Sequence, residues 1–378
     1  MSDVFLRLLR EVRAFARRRP LRRAGATLRR AWQDAARHGP WQRRVLQPAS
    51  FAAGRYSGPE GERDFKLFVP AGDALIERPL VVMLHGCGQT PDDFAAGTRM
   101  NEHAQAHGVL VLYPAQAPRS NRHRCWNWFV PDDQRRGAGE PALLAAMTRH
   151  VMALQAVDPH RVYVAGLSAG GAMADILATA YPDLYAAAGV HSGVRRGVAH
   201  DVASAYAAMQ GREPSAALHA ALGWFFPGVP LTRADRANDA SIADEDATPR
   251  IVFHGDADDT VHPRNGHAVI EALLERASAP VSASTVRLER GGRAVTRSVH
   301  RRSGAPMQAP SLAEHWVVHG AGHAWSGGSA EGSYADALGP DASQEMLRFF
   351  AEHALSPDAG VRSARCAPLS ASLASANA

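Results

Sequence analysis

The run Arg161-Val-Tyr-Val-Ala-Gly166-Leu-Ser168-Ala-Gly170-Gly171 sets a serine between glycines, directly after a β-branched stretch and before the helix-forming segment Ala172-Met-Ala-Asp. This order predicts a strand, a tight turn and a helix, with the serine hydroxyl carried at the tip of the turn. Glycine suits both flanks, because side chains there would collide with the neighbouring strand and helix. A serine hydroxyl is a weak nucleophile. It needs a base to take its proton and a carboxylate to hold that base in one tautomer and stabilise its charged form. Both residue types follow downstream. Pro249-Arg-Ile-Val-Phe-His-Gly255-Asp256-Ala-Asp258-Asp259-Thr-Val261-His-Pro reads as an apolar strand ending in a glycine turn, where Asp256, Asp258 and Asp259 compete as the carboxylate. His315-Trp-Val-Val-His-Gly-Ala-Gly322-His323-Ala-Trp325-Ser-Gly-Gly is a second strand opening into a loop. His315 and His319 lie within or at the end of that strand, where side chains pack or face solvent, so His323 fits the base best.

Upstream, Pro79-Leu-Val-Val-Met-Leu-His85-Gly86-Cys87-Gly88-Gln89 reads as a buried strand running into a glycine-rich loop. Backbone N–H groups in such a loop and just after the nucleophile can together bind an oxyanion. Cys87 and Ala169 are the expected donors.

With these segments in the order serine, acid, histidine, the chain resembles the poly(3-hydroxybutyrate) depolymerase-like esterases of the α/β-hydrolase superfamily, relatives of feruloyl and acetylxylan esterases. The resemblance covers roughly residues 51 to 354. It rests on Leu84-His-Gly-Cys-Gly-Gln89, Cys125-Trp-Asn-Trp-Phe129, Gly166-Leu-Ser-Ala-Gly-Gly-Ala-Met173, His254-Gly-Asp-Ala-Asp-Asp-Thr-Val-His-Pro263 and His319-Gly-Ala-Gly-His-Ala-Trp-Ser-Gly-Gly328. The resemblance implies Asp258 as the acid and His323 as the base. It implies an ester substrate, with hydroxyalkanoate polyesters or their oligomers first and feruloyl, acetyl or short-chain esters as alternatives. The same triad also serves serine peptidases. Trp126 and Trp128 are implied at the acyl pocket or the polymer contact, and Trp325 lies beside the base; a structural role in the core is the competing reading for all three. Here Gly88 stands where relatives often carry threonine. Exported relatives can bridge the pair equivalent to Cys87 and Cys125.

These residues need a scaffold, and 378 residues at 46% hydrophobic content suffice for one large domain with a deep core. Apolar strands predicted over 65–69, 80–85, 109–113, 162–165, 187–191, 251–254 and 315–318 alternate with helical stretches such as 141–154 and 169–181. That rhythm argues an α/β fold: a mostly parallel sheet with helices on both faces. Residues 284–300 read as a hairpin turning at Gly291-Gly292. The Ala-rich region from about 200 to 248 interrupts the rhythm and admits two readings, a cap bordering the cleft or a helical excursion over the core.

The expected organisation is an Arg-rich extension over 1–50, a catalytic domain over 51–355 and an Ala/Ser-rich tail over 356–378 without apolar periodicity. Residues 1–44 hold 13 Arg against Asp3, Glu11 and Asp34, net +10, so the rest of the chain carries −5 within the total of +5. Residues 4–19 read as a basic amphipathic helix. It suits an apolar, anionic surface such as a bilayer or a polyester granule, or it packs on its own domain. Nucleic acid is not expected, since the arginines lack interleaved aromatics. No secretory signal pattern, membrane-spanning run or metal-ligand spacing is visible. A cytoplasmic enzyme without metal or cofactor is the expectation, and in a reducing cytosol Cys87 and Cys125 stay thiols; export without a recognisable signal is the alternative, which a bridge between them would favour.

Overall fold

The computed structural model describes residues 45–212, 247–306 and 308–356. The predicted helix over 4–19, the C-terminal tail and most of the predicted cap region lie outside these residues. The chain divides into two compact units at Val45–Leu46; apart from Val45, the described residues belong to the second.

Strand formation follows the β-branched and aliphatic runs. In chain order the strands are β1 (Leu46–Gln47), β2 (Ser50–Gly58), β3 (Gly61–Val69), β4 (Gly72–Asp73), β5 (Arg78–Leu84), β6 (Leu110–Pro114) and β7 (Val157–Leu167). They continue with β8 (Ala187–His191), β9 (Arg250–Gly255), β10 (Val281–Arg290), β11 (Arg293–Arg302), β12 (Ala313–Val318), β13 (Trp325–Ser326) and β14 (Ala335–Asp336). Ten of them make one sheet in the order β10-β11-β12-β9-β8-β7-β5-β6-β3-β2. The six strands from β12 to β6 run parallel, and antiparallel pairs flank them on both sides. This is the α/β-hydrolase architecture that the motifs imply, and each predicted strand has its counterpart. The predicted hairpin is β10 and β11, with Gly291 and Gly292 both at positive φ in the two-residue turn.

Period-two alternation sorts the side chains between two layers. Leu80, Val82 and Leu84 of β5 join the helices Gly139–Leu154 and Ala169–Ala180 in one core, while Val81 and Met83 join the helices Pro91–Thr98, Met100–His107 and Ala342–Ala351 in the other. Within the helix Ala169–Ala180 every residue but Thr179 is buried. Such all-round burial needs the small residues this segment carries. From the predicted cap region, the structure describes the helix Val202–Met209, opened by a capping box at Asp201.

One charged pair crosses this apolar interior. Arg250, at the start of β9, donates from Nε to Asp175 Oδ1 at 3.0 Å, and Asp175 Oδ2 accepts the Arg196 amide at 2.8 Å. Burial pulls the Arg250 guanidinium below its ordinary value while Asp175 pulls it back up. The pair thus fastens the strand that leads to the acid turn onto the helix that follows Ser168. Removing one partner would leave a buried charge uncompensated, so Asp175→Ala should lower unfolding free energy by about 3–5 kcal/mol, read from urea melts.

Candidate active site

Strand β7 delivers Ser168 into an unusual backbone conformation, φ 59° and ψ −120°, immediately before the helix Ala169–Ala180. Non-glycine residues reach this region only under constraint. The constraint is visible on either side. A Cβ at Gly166 would lie 2.6 Å from the Leu84 carbonyl oxygen and overlap Gly170, and one at Gly170 would overlap the Leu84 oxygen and lie 2.6 Å from that of His85. The Ser168 amide donates to His191 O at 2.8 Å, and Ser168 O accepts the Ala172 amide at 2.9 Å. The predicted elbow is therefore present in geometry.

The turn after β9 holds Asp258 with its carboxylate buried. Asp258 Oδ1 accepts the amides of Thr260 at 3.0 Å and Val261 at 2.8 Å, and Oδ2 accepts from His323 Nδ1 at 2.8 Å. Burial alone would raise this carboxyl, but hydrogen bonds from His254 and His323 outweigh it and hold Asp258 well below the usual carboxylate range. Asp258 is thus ionised, and the bond fixes the His323 proton on Nδ1, so Nε2 is the free basic nitrogen. The competing residues are engaged elsewhere. His319 Nδ1 pairs with Asp256 Oδ2 at 2.6 Å and its Nε2 meets Thr296 Oγ1 at 2.8 Å, while His315 is buried against His267. Asp259 is exposed. The acid turn and the histidine loop are zipped together by the Ala257 amide, which donates to Ala321 O at 3.1 Å.

In the loop after β5, Gly86 N donates to Gln89 Oε1 at 2.8 Å, Gly88 N to His123 O at 2.8 Å and Gln89 N to Gly86 O at 3.3 Å. Cys87 is the remaining amide of this loop, and it has no acceptor among the described residues. Ala169 opens its helix, so its N–H likewise lacks an intrahelical acceptor. The Gln89 side chain also binds Ser333 O at 2.9 Å and Asp93 Oδ2 at 3.1 Å, which straps the loop to the segment beyond His323.

Two expectations require correction. Cys87 and Cys125 form a disulfide rather than two thiols, because the loops after β5 and β6 are brought into register by the Gly88–His123 hydrogen bond. The tryptophans lie in the core. Trp126 is fully buried and donates from Nε1 to His85 O at 3.0 Å, Trp325 is buried and donates to Ser343 Oγ at 3.1 Å, and Trp128 packs edge-on against Phe129 within the same core as Trp126. The indole N–H partners of Trp126 and Trp325 are internal, and the burial of all three side chains favours the core reading over the substrate one.

Several neighbours of the site were not legible as such in the sequence. Tyr334 is 54% exposed, sits at φ 52° and meets the His323 ring edge-on at 6.4 Å. His191 binds both the serine turn and the histidine loop. Gln116 and Glu140 brace the 115–130 loop: Gln116 donates to Cys125 O and Glu140, and Glu140 Oε2 accepts the Asn127 amide at 2.8 Å. A cleft of about 450 Å³ opens between His85, Gln89, Gln116, Arg63, Arg119 and Arg124. A larger one of about 600 Å³ lies between the β2–β3 turn and the start of the helix Gly139–Leu154, and none of Ser168, Asp258 and His323 lines either cleft.

The family described as Esterase PHB depolymerase matches residues 63–277, which include Ser168 and Asp258. Poly(3-hydroxyalkanoate) depolymerase C of Paucimonas lemoignei is 35% identical over 207 residues, 54% of this chain and 46% of that protein. The chain thus spans about half the length of that relative. Feruloyl esterase B of Neurospora crassa is 29% identical over 299 residues, 76% of this chain and 88% of that protein. Among solved structures, an acetyl xylan esterase from Aspergillus awamori superposes with a TM-score of 0.55 at 20% identity, covering 80% of this chain and 99% of that one, which establishes a shared fold.

Two outcomes follow from the loop chemistry. With the bridge intact, thiol titration of the denatured, unreduced chain should find one reactive cysteine, Cys366, of the three present, and three after reduction. Burial raises the Glu140 carboxyl from its ordinary 4.5 to about 7, against hydrogen bonds from Asn127 and Gln116 that lower it. The unfolded chain therefore loses this proton at lower pH than the folded one, and between pH 4.5 and 7 it binds fewer protons. Stability should fall as pH rises through that window, and urea midpoints of Glu140→Gln should lack this component.

Proposed function

Because this chain belongs to the Esterase PHB depolymerase family, we propose that it is a serine esterase that cleaves carboxylic esters through an acyl-enzyme on Ser168. The observations that carry the proposal are the His323–Asp258 hydrogen bond and a serine held in an elbow whose amide is bound to His191, the residue that also binds the histidine loop. His323 Nε2 takes the proton of Ser168 as its oxygen attacks the ester carbonyl. Asp258, kept ionised by its surroundings, stabilises the imidazolium that results. The amides of Cys87 and Ala169 receive the negative oxygen of the tetrahedral intermediate, and each such donor is worth about 10²–10³ in rate. The alcohol departs with the proton from His323, and water then repeats the sequence on the acyl-serine.

The substrate class proposed is a hydroxyalkanoate polyester or its oligomers, supported by the depolymerase relatives. A second reading, feruloyl or acetyl ester hydrolysis, is supported by the longer match to a feruloyl esterase. The Cys87–Cys125 bridge favours an oxidising compartment over the cytoplasmic expectation, because such bridges persist where thiols are not kept reduced. Contact of residues 4–19 with a granule or membrane surface is part of the same proposal, resting on sequence alone.

Hydrolysis of amorphous poly(3-hydroxybutyrate), a soluble butyryl ester and a feruloyl ester, by wild type and Ser168→Ala, tests the reading. Turnover in the variant should fall by at least about 10³-fold with the thermal midpoint preserved. Activity retained in Ser168→Ala would remove the serine from the mechanism. Turnover of the feruloyl ester alone would select the second substrate class.

A further inference from the structure

His191 ends β8 with its ring buried, and three separate chain segments meet on it. Its carbonyl oxygen accepts the Ser168 amide at 2.8 Å. Its Nε2 accepts the Ser326 amide at 3.0 Å, three residues beyond His323. Its ring lies between Trp325, with centroids 5.0 Å apart, and Phe253 of β9 at 5.8 Å, both stacked. The following residue, Ser192, sits at φ 50° and donates its amide to Phe253 O at 2.9 Å, which holds the end of β8 against β9. Since Nε2 must accept, the proton is on Nδ1, facing Ser192 Oγ at 3.2 Å. Burial first, then the neighbouring His254 and His323, push this imidazole down to about 3, against a smaller upward pull from Asp258. It is a neutral hydrogen-bond adaptor throughout the working pH range, adding no charge opposite His323.

We infer that His191 is a positioning residue that sets the separation of Ser168 from His323 by binding the serine turn through its backbone and the histidine loop through its ring. The inference rests on the serine-esterase reading and adds the device that aligns its two reacting side chains. Among the described residues no other single residue hydrogen-bonds both segments: the acid turn binds the histidine loop, and the elbow binds β5 and β8. Alignment matters because a displacement of about 1 Å between reacting groups costs on the order of 10² in rate. Substrate binding would be little affected, since the His191 ring is buried and lines neither of the two described clefts.

The experiment compares His191→Phe, which keeps an aromatic ring between Phe253 and Trp325 but removes the acceptor, with His191→Gln, which keeps an acceptor and stays neutral. Ser326→Pro deletes the same hydrogen bond from the donor side and leaves the ring in place. Steady-state hydrolysis of a soluble butyryl ester is normalised to the fraction of sites labelled by a fluorophosphonate, with thermal melts as the check on folding. The expected result is a loss of about 10²-fold in kcat for His191→Phe and Ser326→Pro with KM unchanged, and recovery of most of kcat in His191→Gln. Equal kcat in a folded His191→Phe, or a loss in His191→Gln as large as in His191→Phe, would overturn the inference. If His191→Phe fails to melt cooperatively, wild-type kcat in Ser326→Pro would overturn it instead. Failure of wild type to be labelled at all would strike the serine-esterase reading, which is a separate outcome.

Discussion

The close approach of the helix Ala169–Ala180 to the ends of β5 and β7 is the constraint from which the rest of the site follows. Gly166 and Gly170 leave no room for a Cβ beside the Leu84 carbonyl, and this contact forces Ser168 into its positive-φ turn. The turn leaves the Ala169 amide at the helix start without an intrahelical acceptor. It also brings the Ser168 amide onto His191, and through His191 the histidine loop is fastened to the same point. A wider helix–sheet spacing would relax the serine and unfasten both.

Charge is handled around this point by keeping most buried imidazoles neutral. His85 is pushed down to about 4 and His191 and His315 to about 3, in each case chiefly by burial. His85 shows the use to which a neutral ring is put: Nε2 accepts the Gln116 amide at 3.0 Å and Nδ1 faces Gly86 O at 2.7 Å. It therefore joins the loop after β6 to the loop that carries Cys87. Asp258 is the contrasting case, a carboxylate that stays charged while buried because two amides and His323 supply the hydrogen bonds water would have supplied. Its neighbour Asp256 binds His319 in a more exposed setting, so one buried and one partly exposed acid–histidine pair stand at the ends of β9 and β12.

The loop carrying Cys87 is held from three directions. The disulfide joins it to Cys125, Gly88 binds His123, and Gln89 reaches Ser333 beyond the histidine. Oxyanion stabilisation depends on donors that are already in place before charge develops, and a loop with its other amides satisfied meets that condition. Trp126 contributes from beneath by donating to His85 O. Aromatic residues that a motif-based reading sets at the substrate are here spent on rigidity.

Local pattern was enough for the strands and the elbow, because apolar alternation and Gly-x-Ser-x-Gly express short-range steric rules that hold in any surroundings. The hairpin turning at Gly291-Gly292 was legible for the same reason. Strand β2 was not, since Ser50–Gly58 lies at the sheet edge, largely exposed, and carries little apolar alternation. His191 and Gln89 were not legible either: their importance comes from which strands and loops become neighbours, and nothing within a few residues of them records that. For a related cause the sequence left the three tryptophans between core and cleft, since proximity in sequence to Cys125 or His323 does not say which side of a loop faces the core. By itself, then, the sequence determined the nucleophile's turn and the residue types available for proton transfer. The tertiary structure decided which aspartate meets which histidine, because the β9 and β12 ends lie side by side only in the folded sheet and hydrogen-bond geometry, not spacing along the chain, selects the pair.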